Sequence, residues 1–295
     1  MAATTAIITQ GKTRVRPRGG MTKKRAIDWL LFVAVILGAL VVMVPFYLIL
    51  VNAFKTPVDY ATSGPFALPQ AIDFTGIQAF WERVNFPQKV WNSIFISGVV
   101  AVLAVVISLL NAFAIGIGRV RGRSWIVLLF LMANLLPQEA LLYPLYYMFK
   151  SVGLYDSVWS VIIVFTVIQA AFGTYLLASV LGTFPKEVLE AASIDGATRW
   201  QILWRVVYPI TRPTLSVLLI FFFIWTWNEF LIPLTFLPSN ASQTVPVAVS
   251  VLTGDRLMDV TTTAGAALLS IIPTIIFFLI FQRTLTRGIT AGAVK

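Results

Sequence analysis

The sequence predicts an all-α fold, a polytopic transmembrane helical bundle with six spans, and three observations carry that expectation. Apolar residues make up 58% of the 295-residue chain and charged residues only 12%, against roughly a quarter charged in a soluble domain. The apolar residues fall in long runs, and about twenty helical residues cross the ~30 Å hydrocarbon core of a bilayer. Lys and Arg gather on alternate connections between those runs, the distribution that threading through a membrane produces.

Taken in order, the chain opens on a basic arm, residues 1–28, containing GKTRVRPRGGMTKKR. It is too polar to pack and is expected to be a disordered cytoplasmic tail that touches anionic membrane lipid. The spans are expected at residues 29–52, 92–118, 125–149, 157–182, 213–237 and 262–281. The first is too long for a signal-peptide core and has no small-residue cleavage site, which argues against a cleaved signal peptide. Trp29, Trp91, Trp125 and Trp159 stand near span ends, where an indole settles at the membrane–water boundary. No repeat, low-complexity run or Ser/Gly linker divides residues 29–285, read as one membrane domain, and residues 286–295 form a second cytoplasmic tail.

The basic residues orient the bundle. Seven precede the first span, three lie between the second and third (Arg119, Arg121, Arg123), four between the fourth and fifth (Lys186, Arg199, Arg205, Arg212) and three after the last (Arg283, Arg287, Lys295). The remaining connections share Lys55, Arg83, Lys89, Lys150 and Arg256. The positive-inside rule then puts both termini and the fourth connection in the cytoplasm, for a multi-pass protein of the cytoplasmic (inner) membrane. Topology accounts for the net charge of +10 without a polyanionic partner, so no nucleic acid is expected.

Absences bound the chemistry. With no cysteine and no histidine there is no thiolate nucleophile, imidazole base, catalytic triad or His/Cys metal site. The phosphate-cradling pattern G-x-x-x-x-G-K-[ST] is missing too. No cofactor is expected on this chain, and energy from ATP would have to come from a partner.

The fourth connection, PKEVLEAASIDGATRWQILWRVVYPITR at residues 185–212, is too polar to cross a bilayer and too helix-prone to be slack. Pro185 suits a helix start, Glu187 and Glu190 suit the positive end of a helix dipole, and Gly196 suits a stop after Ile194 and Asp195. The pattern predicts a short helix, a break, then a second stretch. Ala191 and Ala192 would let a neighbouring surface approach, with Val188, Leu189 and Ile194 as apolar grip. A solvated loop helix would show the same local pattern.

Context separates the two readings. Glu190-Ala191-Ala192 followed by Asp195-Gly196, before the penultimate span, resembles the EAA signature of permease subunits of bacterial ABC importers. Pro45-Phe46 with Phe54-Lys55-Thr56-Pro57, Leu136-Pro137-Gln138, Tyr143-Pro144-Leu145-Tyr146, Trp227-Asn228-Glu229-Phe230 and the tail Gly288 to Lys295 are similar to the second permease subunit of the carbohydrate-uptake, maltose-type class. The usual I-x-L-P reads Val206-Val207-Tyr208-Pro209 here, and Glu139 departs from the family pattern. The resemblance implies a coupling helix at Glu190, Ala191, Ala192, Asp195 and Gly196 that seats in an ATPase subunit. It also implies a second related permease, two ATPase subunits carrying ATP and Mg, an extracytoplasmic solute-binding protein, and a sugar or related solute as cargo.

Two acids stand inside expected spans. By helix rise of ~1.5 Å per residue, Glu139 lies about 21 Å from Trp125 and Glu229 about 24 Å from Pro213. A central charge costs about 3 kcal/mol, while the apolar residues of the fifth span return roughly 4 to 8 kcal/mol, so insertion still wins. Helical spacing groups Trp225, Asn228 or Glu229, and Ile232 in one stripe, and Asn134, Gln138 and Glu139 on one side of the third span. These are candidates to line a sugar path; packing against one another or against a partner subunit is the other reading. Pro137 and Pro144 should bend the third span. Buried acids also suit an ion- or proton-coupled secondary transporter, the alternative function, and paired carboxylates suit a membrane enzyme.

Overall fold

The computed structural model describes residues 21–118, 120–253 and 259–293. The basic arm at residues 1–20, Arg119, Arg256, Val294 and Lys295 lie outside them. The chain divides into two units, one ending at Leu48 and the other beginning at Ile49. Helix α1, Met21–Asn52, crosses that division; its backbone is helical from Met21, within the stretch expected to be a loose tail.

In the second unit, two short helices, α2 (Pro57–Ser63) and α3 (Thr75–Val84), lead to α4 (Phe86–Gly116). Thr56 accepts the Asp59 N–H at 3.1 Å and Pro57 follows in the first turn, so Thr-Pro starts α2. Next come α5 (Arg123–Ala133), α6 (Gln138–Ser151), α7 (Val158–Gly182), α8 (Lys186–Ile194) and α9 (Arg199–Ile202). A π-helical turn at Leu203–Val207 joins α9 to α10 (Tyr208–Trp227), and α11 (Leu231–Phe236), α12 (Val245–Thr253) and α13 (Val260–Ala293) complete the chain. The sixfold expectation is met by five long apolar helices together with one bent pair, α5 and α6, which would make the sixth span.

The core is a seam of small residues between α4 and α7, closed by α10. Ala101, Ala104 and Ala112 of α4 and Ala178 and Leu181 of α7 are buried with Leu203, Val207, Leu215 and Phe222. A Cβ on Gly173 of α7 would come within 2.2 Å of Ser108 Oγ and 3.0 Å of the Phe222 ring, so only glycine admits this approach. Ser108 Oγ donates to the Ala170 carbonyl at 3.2 Å, and Gln169 Nε2 to Thr226 Oγ1 at 2.8 Å. Interhelical hydrogen bonds in a membrane average only about 0.6 kcal/mol. Close packing of small residues, which lets backbones approach, therefore does more to hold the seam than its polar pairs.

Two expected spans are built differently. The third breaks after Ala133: α5 and α6 meet at 89°. Pro137 has no N–H and disfavours helical backbone at the residue before it, which fixes the break there, whereas Pro144 lies within α6. The fifth begins at Arg199 and not near 213, runs as one helix to Trp227, and stops before Asn228. It therefore ends ten residues short of the expected 237, and the intervening α11 is a separate helix.

At the end of the bundle where α4 begins, the connection 237–244 is bound down. The buried Lys89 ammonium donates to the backbone carbonyl and, at 2.5 Å, to the side-chain oxygen of Asn240. Asn92 Nδ2 donates to the carbonyls of Ala241 (2.8 Å) and Gln243 (3.0 Å), while Ser93 Oγ accepts the Val245 N–H at 2.9 Å. From the α6–α7 turn, Asp156 Oδ1 accepts Ser242 Oγ at 2.6 Å and the Ser239 N–H at 3.2 Å, and its own N–H donates to Phe236. Asp156 holds φ at 60°, a left-handed conformation that aspartate tolerates better than most side chains. Burial pushes its carboxyl up, and the hydrogen bonds from Ser242 and Ser239 outweigh that and hold it below the usual carboxylate range.

Candidate functional site

Helix α8 leaves α7 through a tight turn in which the Thr183 and Phe184 N–H groups donate to Val180 and Leu181. Pro185 precedes the first helical turn and Glu187 lies in it, which suits the helix dipole. The stop is at Gly196, with φ at 75°. Ala197 N–H donates to Ala192 at 3.0 Å and Gly196 N–H to Ser193 at 3.1 Å, the paired bonds of a Schellman motif. A Cβ on Gly196 would meet nothing within 4 Å. Backbone conformation alone therefore demands glycine there.

A second helix starts at once. Gln201 N–H donates to Thr198 Oγ1 at 3.3 Å and Thr198 N–H to Gln201 Oε1 at 2.8 Å, a reciprocal cap on α9. The helix–break–helix expectation for this segment matches the structure, with the difference that the second stretch is the start of the 29-residue helix Arg199–Trp227.

The sides of α8 are unlike. Leu189, Ala192 and Ala197 pack on the seam, so two of the residues expected to face a neighbour are turned inward. Val188, Glu190, Ala191, Asp195 and Gly196 are exposed, and Ile194 is 86% exposed. Among the described residues the Glu190 and Asp195 carboxylates have no hydrogen-bonding or ionic partner. What α8 presents outward is an isoleucine and two unpaired acids over an alanine, held on a rigid turn.

The candidate path residues collect at two helix breaks. Asn134 closes α5 by donating its Nδ2 to Phe130 at 2.7 Å, and Asn228 closes α10 by donating to Ile224 at 2.8 Å. Gln138 and Glu139 open α6, and Glu229 sits between α10 and α11 with its N–H on Thr226 at 3.2 Å. The charges of Glu139 and Glu229 stand within electrostatic reach of each other. Trp225 is packed edge-on by Phe172 and Phe221, 6.0 and 6.2 Å away. The expected stripe from Trp225 to Ile232 does not form, because the helix ends at Trp227 and Ile232 is buried in α11. The depth counts for both acids assumed unbroken helices and fail for the same reason.

Sequence reasoning missed the ring ladder along the second stretch. Trp200 and Trp204 are 5.6 Å apart and Trp204 and Tyr208 5.5 Å. Their four-residue spacing was the available signal. Among the described residues no three His, Cys, Asp or Glu gather to hold a metal.

Residues 113–291 match the family described as binding-protein-dependent transport system inner membrane component. The chain is 28% identical over 253 residues to the melibiose/raffinose/stachyose import permease protein MelC of Bacillus subtilis, covering 85% of this chain and 91% of that one. It is 30% identical over 254 residues to the diacetylchitobiose uptake system permease protein DasC of Streptomyces coelicolor, with coverage of 85% and 91%. Its fold is that of a chain in the crystal structure of a bacterial ABC transporter involved in the import of the acidic polysaccharide alginate. That pair has a TM-score of 0.77 at 22% identity, covering 92% of this chain and 99% of that one.

Proposed function

We propose, because this chain belongs to the family of binding-protein-dependent transport system inner membrane components, that helix α8 is its coupling helix and that its cargo is a sugar, most simply a short oligosaccharide. The chain is a membrane-spanning permease subunit of an importer, a transport component and not an enzyme. The family match gives no support to an ion- or proton-coupled secondary transporter.

The observation that carries the coupling role is α8 itself: a short helix fixed by its Schellman turn, with Ile194, Glu190 and Asp195 left outside. Ile194 is the most exposed large apolar side chain among the described residues, which suits a surface that a partner covers. In this reading Glu190, Ala191, Asp195 and Gly196 seat in one of two ATPase subunits, which carry ATP and Mg, and Ala192 keeps the helix against the bundle. The chain's own sequence has no phosphate-cradling loop, so the nucleotide chemistry belongs to those partners. A second related permease completes the path, and a solute-binding protein delivers the cargo. The distribution of Lys and Arg supports placing α8 and both termini in the cytoplasm.

ATP-driven closure of the ATPase pair would shift α8 as a rigid piece. The capped turn at Thr198 passes that shift into the helix Arg199–Trp227, whose far end adjoins Asn228 and Glu229. Asn134, Gln138, Glu139, Trp225, Asn228 and Glu229 then line the path, with carboxylates and amides for hydroxyl groups and an indole for the sugar ring. Ligand and nucleotide bias the inward- and outward-facing populations. The cargo class rests on the sugars in the names of the two relatives.

The test replaces Gly196 with Val and Glu190 with Lys, and measures ATPase co-purification and sugar uptake separately. Both variants should assemble in the membrane and lose uptake by about tenfold or more, an effect of roughly 1.4 kcal/mol or above. Unchanged co-purification and uptake in both would remove α8 from the coupling role.

A further inference from the structure

Helix α6 has two unlike sides. Leu142, Leu145, Tyr146 and Phe149, spaced three and four residues apart, pack in one cluster with Val161, Phe165 and Phe236, and Phe149 meets Phe236 edge-on at 5.4 Å. The other side carries Glu139, Tyr143 and Tyr147, again four residues apart, and all three are exposed. Lys150 turns from this row to Tyr146: its ammonium donates to that hydroxyl at 3.3 Å and lies over the ring, 5.5 Å from its centre.

The two tyrosines of the outer row are built as a pair. Their rings meet edge-to-face at 4.8 Å, and the Tyr143 hydroxyl donates to that of Tyr147 at 3.1 Å. Tyr143 stays 71% exposed, and the Tyr147 O–H has no acceptor among the described residues. Pro144 has no N–H for the Ala140 carbonyl four residues back, so this turn also holds a backbone acceptor outside the helical ladder. The outward side of α13 is different: Ile272, Ile275, Ile276, Leu279 and Ile280 are exposed there, a surface suited to acyl chains. Phenols and a carboxylate gain nothing from hydrocarbon, so the outer row of α6 belongs against water, protein or solute.

We propose that Tyr143 and Tyr147 contact the cargo and extend the candidate path along α6 from Glu139, a role that rests on this chain being a sugar permease. The open face of Tyr143 offers a flat apolar platform to a pyranose ring, and Tyr147 donates its O–H to a sugar hydroxyl. A sugar matches the pair because it carries both kinds of surface, C–H faces and a rim of hydroxyl groups, and a tyrosine presents both ring and hydroxyl while losing little side-chain freedom. The edge-to-face contact sets one ring against the other beforehand, which lowers the ordering cost of binding. Glu139, one turn before Tyr143, accepts from a neighbouring hydroxyl. Its charge reaches Glu229, which joins the row to the path residues at the break after α10.

The experiment measures uptake of labelled glucose, melibiose, raffinose and diacetylchitobiose by cells carrying the complete importer, with the amount of assembled complex followed alongside. For whichever sugar the wild type carries, Tyr143→Ala should slow uptake about tenfold, while Tyr143→Phe, which keeps the ring, stays near the wild type. Tyr147→Phe, which loses one donor, should slow it about two- to tenfold. ATPase co-purification should be unchanged in all three. The chain has no cysteine, so Tyr143→Cys gives it a single thiol, which should react in the assembled complex with a charged, water-soluble methanethiosulfonate. Wild-type uptake in both Tyr143→Ala and Tyr147→Phe overturns this contact and leaves the sugar reading standing, whereas a wild type that carries none of the four sugars overturns that reading as well. A Tyr143→Cys thiol that stays unreactive, or loss of assembly in Tyr143→Ala, puts this side of α6 against lipid or the second permease and overturns the contact equally.

Discussion

The two ends of this bundle are finished in opposite ways. Where α4 begins, the connection 237–244 is tied to the chain's own side chains: Lys89, Asn92 and Ser93 on one side and Asp156 on the other. At the end carrying α8, acids and apolar groups are set on a rigid turn and left without partners. Polar groups that a chain satisfies internally add to its own order. Those it leaves open cost little in water, and become useful only when another surface arrives. The first end is thus ordered by the chain's own side chains, and the second keeps its acids and Ile194 exposed.

The contrast breaks most visibly at Lys89. Lys89→Met removes both charge-assisted hydrogen bonds to Asn240, at a cost of about 1 to 3 kcal/mol. Thermal unfolding should come earlier and proteolysis should open within residues 237–244; an unshifted melt and an intact loop would mean that the tie does not order this end. Gly173→Val drives a side chain into Ser108 and Phe222 and should cost about 1 to 3 kcal/mol through overpacking, lowering the melt while leaving that loop protected. Asp156→Asn should cost about 1 kcal/mol through weakened hydrogen bonds and should change the pH response. Because the folded carboxyl titrates lower than the unfolded one, its contribution is full above about pH 4 and is lost as pH falls further. Loop protection should therefore fade in acid for the wild type and stay flat for the Asn variant. Ile194→Ser should move stability by less than about 0.5 kcal/mol while weakening ATPase co-purification; a large stability loss would show α8 to be ordinary packing.

Much of the plan was legible because it depends on local composition. Long apolar runs specify helices in a membrane, and Pro185, Gly196 and the acids between them specify a capped short helix. The bend in the third span was legible at Pro137, but its size was not, since an angle depends on what the two halves pack against. The helix from Arg199 was hidden by its polar first turns, which read as loop when hydropathy alone is followed. Lys89 and Asn240 stand 151 residues apart, and nothing in either local sequence announces the other. At the candidate path, residue types were readable while depth was not, because counting rise per residue presumes a helix that Pro137 and Asn228 interrupt.

The 89° turn between α5 and α6 has a consequence for solvent. Eleven residues of α5 rise only about 16 Å, about half of a ~30 Å hydrocarbon core, and the first amides of α6 precede its helical ladder. Acyl chains offer those amides nothing, and non-helical backbone survives at that level only beside protein or a hydrated cavity. A single span built from this pair would need moisture, or a neighbour's polar groups, at its break, beside the acidic Glu139.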